Sequence, residues 1–232
     1  MQPLDGHADR YFNGDLNALH LSILEMGALA LNQVELALKA ATTGDNEAAQ
    51  KVFEREPLVD NMELDIDEKI IDLIGKRGPI ARDLRVIVAF SKIVADIERM
   101  GDEAARIAYI SEKLFNNETS RPGKGQIRDV VEMGKTAISV CAQVMAVFDS
   151  LDAEAATKLL DYEKELDAQF ESSLRHLTTY VLEDARNIGH TISLTLILKA
   201  IGRVGAHAQN IAEYIIYLVE GVDIRHRKTN EG

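Results

Sequence analysis

Arg99-Met100-Gly101-Asp102-Glu103-Ala104-Ala105-Arg106-Ile107-Ala108 and Arg203-Val204-Gly205-Ala206-His207-Ala208-Gln209-Asn210-Ile211-Ala212 decide the fold between them. At an offset of 104 residues, Arg99, Gly101, Ala104, Ile107, Ala108 and Leu114 fall on Arg203, Gly205, Ala208, Ile211, Ala212 and Leu218. Upstream, at an offset of 107, Asp45-Asn46-Glu47-Ala48-Ala49 falls on Asp152-Ala153-Glu154-Ala155-Ala156, Lys51 on Lys158 and Asp60 on Asp167. A change of length near Ile188-Gly189-His190 accounts for the shift between the two offsets. Self-similarity at a fixed spacing marks a duplicated structural unit.

Each unit reads as three helices. Leu16, Leu19, Ile23, Met26, Ala30, Val34, Ala37 and Ala41 recur at spacings of three and four, an apolar stripe on one helix over about residues 9–43. Gly44-Asp45 ends that helix, and Asp45 is placed to cap the next with Glu47 in its first turn. A second helix follows over about 46–75, with a kink expected at Pro57, until Gly78-Pro79 breaks the chain. A third, about 82–116, places Ile87, Phe90, Ile93, Val94, Ile97, Met100, Ala104 and Ile107 on a core face. Asn116–Gly125 is rich in Asn, Ser, Thr, Pro and Gly and reads as a linker. Helices at about 126–149, 153–183 and 187–220 repeat the order. The expected fold is therefore all-α, two tandem, internally duplicated three-helix bundles with six long helices. The expected divisions are a first bundle over 1–118, a linker at 119–125, a second bundle over 126–221 and a tail at 222–232.

Composition removes several function classes. The 232 residues hold 26 Lys+Arg and 38 Asp+Glu, a formal charge of −12. Binding a nucleic-acid backbone needs a basic surface, so that task is excluded as the main one. A single Cys rules out an intramolecular disulfide framework and a multi-cysteine zinc module, and fits a reducing compartment. Cys141 lies between Val140 and Ala142 on an amphipathic stretch, where it reads as a small packing residue. The N-terminal Met1–His7 lacks a basic segment followed by an apolar one, so no secretory signal is expected. The most apolar runs, Val86–Phe90 and Ile192–Ile201, fall short of the roughly 20 apolar residues that span a bilayer. A cytoplasmic protein, reaching membranes only through partners, is the expectation. The charge is uneven: residues 1–119 carry 13 basic and 22 acidic side chains, net −9, and residues 120–232 carry 13 and 16, net −3.

The acidity concentrates in a carboxylate constellation. Glu98 and Asp102 are four apart and share a helix face, where like charges repel unless a cation or water separates them. The second helix shows Asp60, Glu63 and Asp67 at spacings of three and four. Two packed helices with such stripes can hold a divalent or iron-, manganese- or magnesium-type cation through oxygen ligands. A solvated acidic face has the same spacing. In the second copy Gly202 and Ala206 stand where Glu98 and Asp102 stand in the first, although Glu163, Asp167 and Glu171 keep an acidic stripe. The six histidines form no His-x-x-x-His pair, and none follows a Glu by three, the pairing used by di-iron oxygen-activating bundles. No Gly-rich phosphate loop occurs. Asp83-Leu84-Arg85 and Asp184-Ala185-Arg186 open the third and sixth helices alike, either as caps with internal ion pairs or as a docking surface presented twice.

Pro79-Ile80-Ala81-Arg82-Asp83-Leu84-Arg85 and Asp96-Ile97-Glu98-Arg99-Met100-Gly101-Asp102-Glu103-Ala104 resemble the first half of the PhoU family. Leu182-Glu183-Asp184-Ala185-Arg186-Asn187-Ile188 and the stretch from Gln209 through Asn210, Glu213 and Tyr214 to Gly221 resemble the second. The resemblance covers nearly the whole chain, in order. It implies two three-helix bundles, often dimeric, in the cytoplasm, acting as a regulator rather than an enzyme. It implies a relay from the phosphate-specific ABC transporter, through its ATPase subunit, to a PhoR-type histidine kinase, holding the phosphate-starvation response off and restraining uptake. It further implies metal binding through a Glu/Asp-x-x-x-Asp motif in each half, which Glu98 and Asp102 match and Gly202 and Ala206 do not. The metal candidates are thus Glu98, Asp102, Asp60 and Glu63, with Asp167 and Glu171 residual in an incomplete second bundle. The docking candidates are Asp83, Arg85, Asp184 and Arg186. Two rival readings follow from the residues, a carboxylate-bridged metal oxidase and a metal-free scaffold.

Overall fold

Asp45 and Asp152 show how the sequence builds these elements. The Asp45 carboxylate accepts the Ala48 N–H at 3.0 Å, and the Asp152 carboxylate accepts the Ala155 N–H at 3.0 Å. One turn on, Lys51 reaches Glu47 at 2.7 Å and Lys158 reaches Glu154 at 2.9 Å. The same cap and the same ion pair are thus made twice at one offset. Immediately before each cap the chain turns left-handed, at Gly44 (φ +70°) and at its counterpart Leu151 (φ +53°). A leucine there is disfavoured by roughly 1–2 kcal/mol; its side chain packs against the core, which offsets the strain.

The protein, here a computed structural model, is described over residues 10–116 and 121–224. The N-terminal residues 1–9, the expected linker's 119–120 and the tail from 225 onward lie outside the described residues. The elements are α1 (Arg10–Thr43), α2 (Asn46–Arg77), α3 (Arg82–Phe115), α4 (Lys124–Ser150), α5 (Ala153–Leu159), α6 (Tyr162–Glu183), a 3₁₀ turn (Ala185–Asn187) and α7 (Ile188–Glu220). Six of them are long, and no strand occurs among the described residues. The single helix expected over 153–183 is divided instead. The Leu160 N–H bonds the Thr157 carbonyl at 3.3 Å, tightening the chain into a turn, and α6 starts anew at Tyr162. The helix α2 runs through Pro57, which supplies no N–H to the Phe53 carbonyl one turn earlier. At α4, Gln126 accepts the Gly123 N–H at 2.8 Å and draws the start two residues ahead of its expected place.

Every residue of the expected α1 stripe is buried, from Leu16 to Ala41. The α3 stripe from Ile87 to Ile107 is buried as well. Helices α1–α3 pack on one another, α4–α6 pack on α7, and two seams join the bundles. In one, α1 crosses α4. A side chain added at Gly27 would strike Met145, and one added at Gly134 would meet Leu38 at 3.0 Å. Gly27 and Gly134, like Leu38 and Met145, are 107 apart, so this close approach is one contact made twice. By length and mean hydropathy, Phe12–Thr43 and Lys124–Ser150 could each cross a bilayer; both place their apolar stripes in the shared core.

In the other seam α3 runs antiparallel to α7. The Asp96 carboxylate, almost fully buried, accepts from Asn210 Nδ2 at 3.1 Å and lies 2.8 Å from His207 Nδ1. About two turns on, Glu103 pairs with Arg203 Nε at 2.9 Å. Buried carboxylates are tolerated only with such partners. Asp96→Ala strands the groups on α7 and is expected to cost about 2–3 kcal/mol in urea unfolding followed by circular dichroism. A loss under about 0.5 kcal/mol would show that the seam does not depend on this carboxylate.

Candidate metal centre

Three carboxylates meet where α2 passes α3. Glu98 and Asp102 lie one turn apart on α3, and Asp60 comes from α2. One oxygen from each lies within 4.8 Å of the other two. Divalent cations hold oxygen ligands at about 2.0–2.6 Å, so oxygens up to about 5 Å apart can share one ion. Asp60 and Asp102 are exposed and Glu98 is half-buried, leaving the cluster open to solution on one side. Arg99, the cation next to Glu98 in sequence, sits 3.8 Å from the Asp96 carboxylate.

The crowding shows in the acid strengths. Burial raises Glu98 to about 7, and the charges of Asp102, Glu63 and Asp60 push the same way, with Arg99 opposing. Glu63 is raised by burial, then by Asp67 and Asp60. Glu56 is raised by burial, then by Asp60 and Asp102. A half-buried carboxyl that holds its proton beside other carboxylates is one that a cation relieves. The donor set, all carboxylate oxygen from two rigid helices, fits a hard cation such as magnesium, manganese or iron. Held there, Asp60 would supply one ligand from α2 while Glu98 and Asp102 supply two from α3.

Of the four expected first-bundle ligands, the structure brings together Asp60, Glu98 and Asp102. Glu63 stands beside them, acting on Glu98 by its charge. In the second bundle Asp167 and Glu171 are exposed, and Glu171 lies 3.8 Å from Arg175. Gly202 and Ala206 offer no oxygen, and no second group of three such ligands forms among the described residues. There Gln209 donates to Glu163 at 3.2 Å and to Glu213 at 3.4 Å, so a neutral amide sits between the carboxylates.

The two docking candidates are alike in sequence and unlike in exposure. Asp83 is 7 % exposed, and Arg85 folds against Gly221 at the C-terminus of α7, where a guanidinium complements the helix dipole. Asp184 and Arg186 instead pair with each other at 2.8 Å on the surface, and Asp184 caps the Arg186 N–H at 3.0 Å. Cys141 is fully enclosed, and burial pushes its thiol up to about 12, in keeping with a packing role. Sequence reading missed Glu56, although it precedes Asp60 by one turn, a spacing that could have found it. It also missed Asp96 and Glu103, whose partners lie about a hundred residues away and leave no local signal.

The chain is an all-α pair of bundles with a carboxylate cluster at Asp60, Glu98 and Asp102. A PhoU domain profile matches residues 23–111 and 130–215. The chain belongs to the PhoU family. It is 36 % identical to the "phosphate-specific transport system accessory protein PhoU homolog" of Pseudomonas putida, over 97 % of this chain and 87 % of that protein. It is 31 % identical to the accessory protein PhoU of Escherichia coli K12, over 96 % and 91 %. The crystal structure of PhoU from Pseudomonas aeruginosa superposes with a TM-score of 0.86 at 35 % identity, covering 91 % of this chain and all of that one.

Glu98 gives a direct test. Its folded-state value of about 7 stands above the ordinary 4.5. The proton therefore favours the native state at low pH, and that contribution is lost as pH rises through about 7. A cation competes with the same proton, so manganese or magnesium affinity should rise between about pH 5.5 and 7.5, by up to about tenfold per unit, and then level off. Titration calorimetry of Glu98→Gln should show weaker binding with a flatter profile. An unchanged profile in the variant would remove Glu98 from the site.

Proposed function

We propose that this chain is a cytoplasmic negative regulator of phosphate uptake and phosphate signalling that acts by protein contact. The observation that carries this reading is the match along 97 % of the chain to a protein named for the phosphate-specific transport system. The whole chain, not one module, has its counterpart there. In this reading it acts as a homodimer and relays the state of the transporter, through its ATPase subunit, to a PhoR-type histidine kinase. It is not an enzyme; its bundles offer long helical faces to partner domains. The formal charge of −12 steers basic partner surfaces toward it. Asp60, Glu98 and Asp102 would hold a divalent cation, which supplies charge neutralisation and a fixed bridge between α2 and α3. The exposed pair Asp184 and Arg186 belongs to the contact surface, and the exposed face of Leu84 beside Asp83 and Arg85 to the other.

Deleting the gene should raise phosphate-regulated expression several-fold in phosphate-rich medium, and the intact chain should restore repression. Affinity capture from the same cells should recover the transporter ATPase or the sensor kinase. Expression that stays at the repressed level after deletion would contradict the reading.

A further inference from the structure

Two adjoining hollows, one between α3 and α7 and one extending across α3 to α2, share Glu103, Arg106 and Arg203. The smaller, about 90 Å³, is completed by Leu196, Lys199 and Ala200 of α7. The larger, about 490 Å³, opens toward Glu56 and Asp102 at the edge of the carboxylate cluster. Three cations and one carboxylate line the smaller hollow, a local balance of +2 in a chain of net charge −12. Arg106 and Lys199 are exposed and make no hydrogen bond or ion pair among the described residues. Glu103 is only 4 % exposed. Its Oε1 accepts from Arg203 Nε at 2.9 Å, while its Oε2 is buried and receives nothing.

An orphaned carboxylate oxygen is a costly feature to keep, and it calls for a donor. The surrounding cations call for acceptors. One small ligand answers both, provided it carries several anionic oxygens and one hydroxyl. We infer that this hollow binds inorganic hydrogen phosphate, HPO₄²⁻. Arg106, Lys199 and the free guanidinium nitrogens of Arg203 donate to its anionic oxygens, as charge-assisted hydrogen bonds. The P–OH donates to Glu103 Oε2. The two negative charges of the ion balance the local +2. Sulfate has the same shape and charge but no proton to offer. A phosphomonoester dianion has lost its proton as well, and the hollow has room for a tetrahedral oxyanion rather than a nucleotide. Glu103 is thus the residue that selects among oxyanions, by leaving an unpaired buried acceptor whenever the ligand lacks the hydroxyl.

This inference goes beyond the regulatory reading and stands on the side chains around Glu103, so either can fail without the other. Equilibrium dialysis of the full chain with radiolabelled phosphate tests it. A chelator is kept present throughout, so that phosphate cannot ride on a cation at Asp60, Glu98 and Asp102. Saturable binding is expected, with sulfate and glycerol phosphate competing at least about tenfold more weakly. Arg106→Gln/Lys199→Gln alters two exposed side chains and should weaken phosphate at least about tenfold without moving the melting temperature. Glu103→Gln turns the acceptor into a donor, so sulfate should gain on phosphate. Absence of saturable phosphate binding would overturn the inference. So would sulfate competing equally in the native chain, or full phosphate affinity in the double variant.

Discussion

The structure depends on two buried carboxylates of α3 finding their partners on α7. Asp96 meets His207 and Asn210, and Glu103 meets Arg203. Charged groups leave water only against such compensation, and breaking one side leaves the other stranded. Because all of these partners come from the second bundle, the inner face of α3 is fixed by α7. Its outer face is then free to turn Glu98 and Asp102 toward α2. The α1–α4 crossing holds the opposite side, through the repeated fit of Met145 over Gly27 and Leu38 over Gly134. The carboxylate cluster is built entirely from the first bundle, yet its geometry is set in part by the second.

Duplication kept what helices need and changed what ligands need. The caps at Asp45 and Asp152, the Glu–Lys pairs after them and the crossing glycines recur in both halves. Of the cluster's acids Asp60 recurs, as Asp167, but Glu98 and Asp102 do not. Ala206 is exposed and Gly202 is half-buried beside Met133, and Gln209 answers Glu163 and Glu213 with amide N–H groups. Part of the difference between −9 and −3 in the two halves follows from these exchanges.

Most of the fold was legible in the sequence, because it rests on local rules. Apolar spacing, caps and helix-breaking Gly-Pro steps each act within a turn or two, and they place five of the six long helices to within a few residues. The division at Leu160 was not legible: Thr157–Asp161 carries neither Gly nor Pro, and the turn forms through one i→i−3 hydrogen bond. Within the site, Glu98 and Asp102 could be read from their spacing, and Asp60 from its stripe. That Asp60 joins them while Glu63 stands aside is set by the rotation of α2 against α3, which no single-helix pattern encodes. The seam residues were invisible for the same reason. Asp96 and His207 are 111 residues apart, and nothing beside either marks the other.

In the proposed reading the first bundle holds a cation through Glu98 and Asp102, and the second, with Gly202 and Ala206 in their places, does not. Metal analysis of the purified chain after manganese loading and desalting, beside Glu98→Ala/Asp102→Ala, tests it most directly. Bound metal is expected in the native chain, with its loss in that variant and its retention when Asp167 and Glu171 are both changed to Ala. Metal that survives in Glu98→Ala/Asp102→Ala, or that disappears with Asp167 and Glu171, would contradict it.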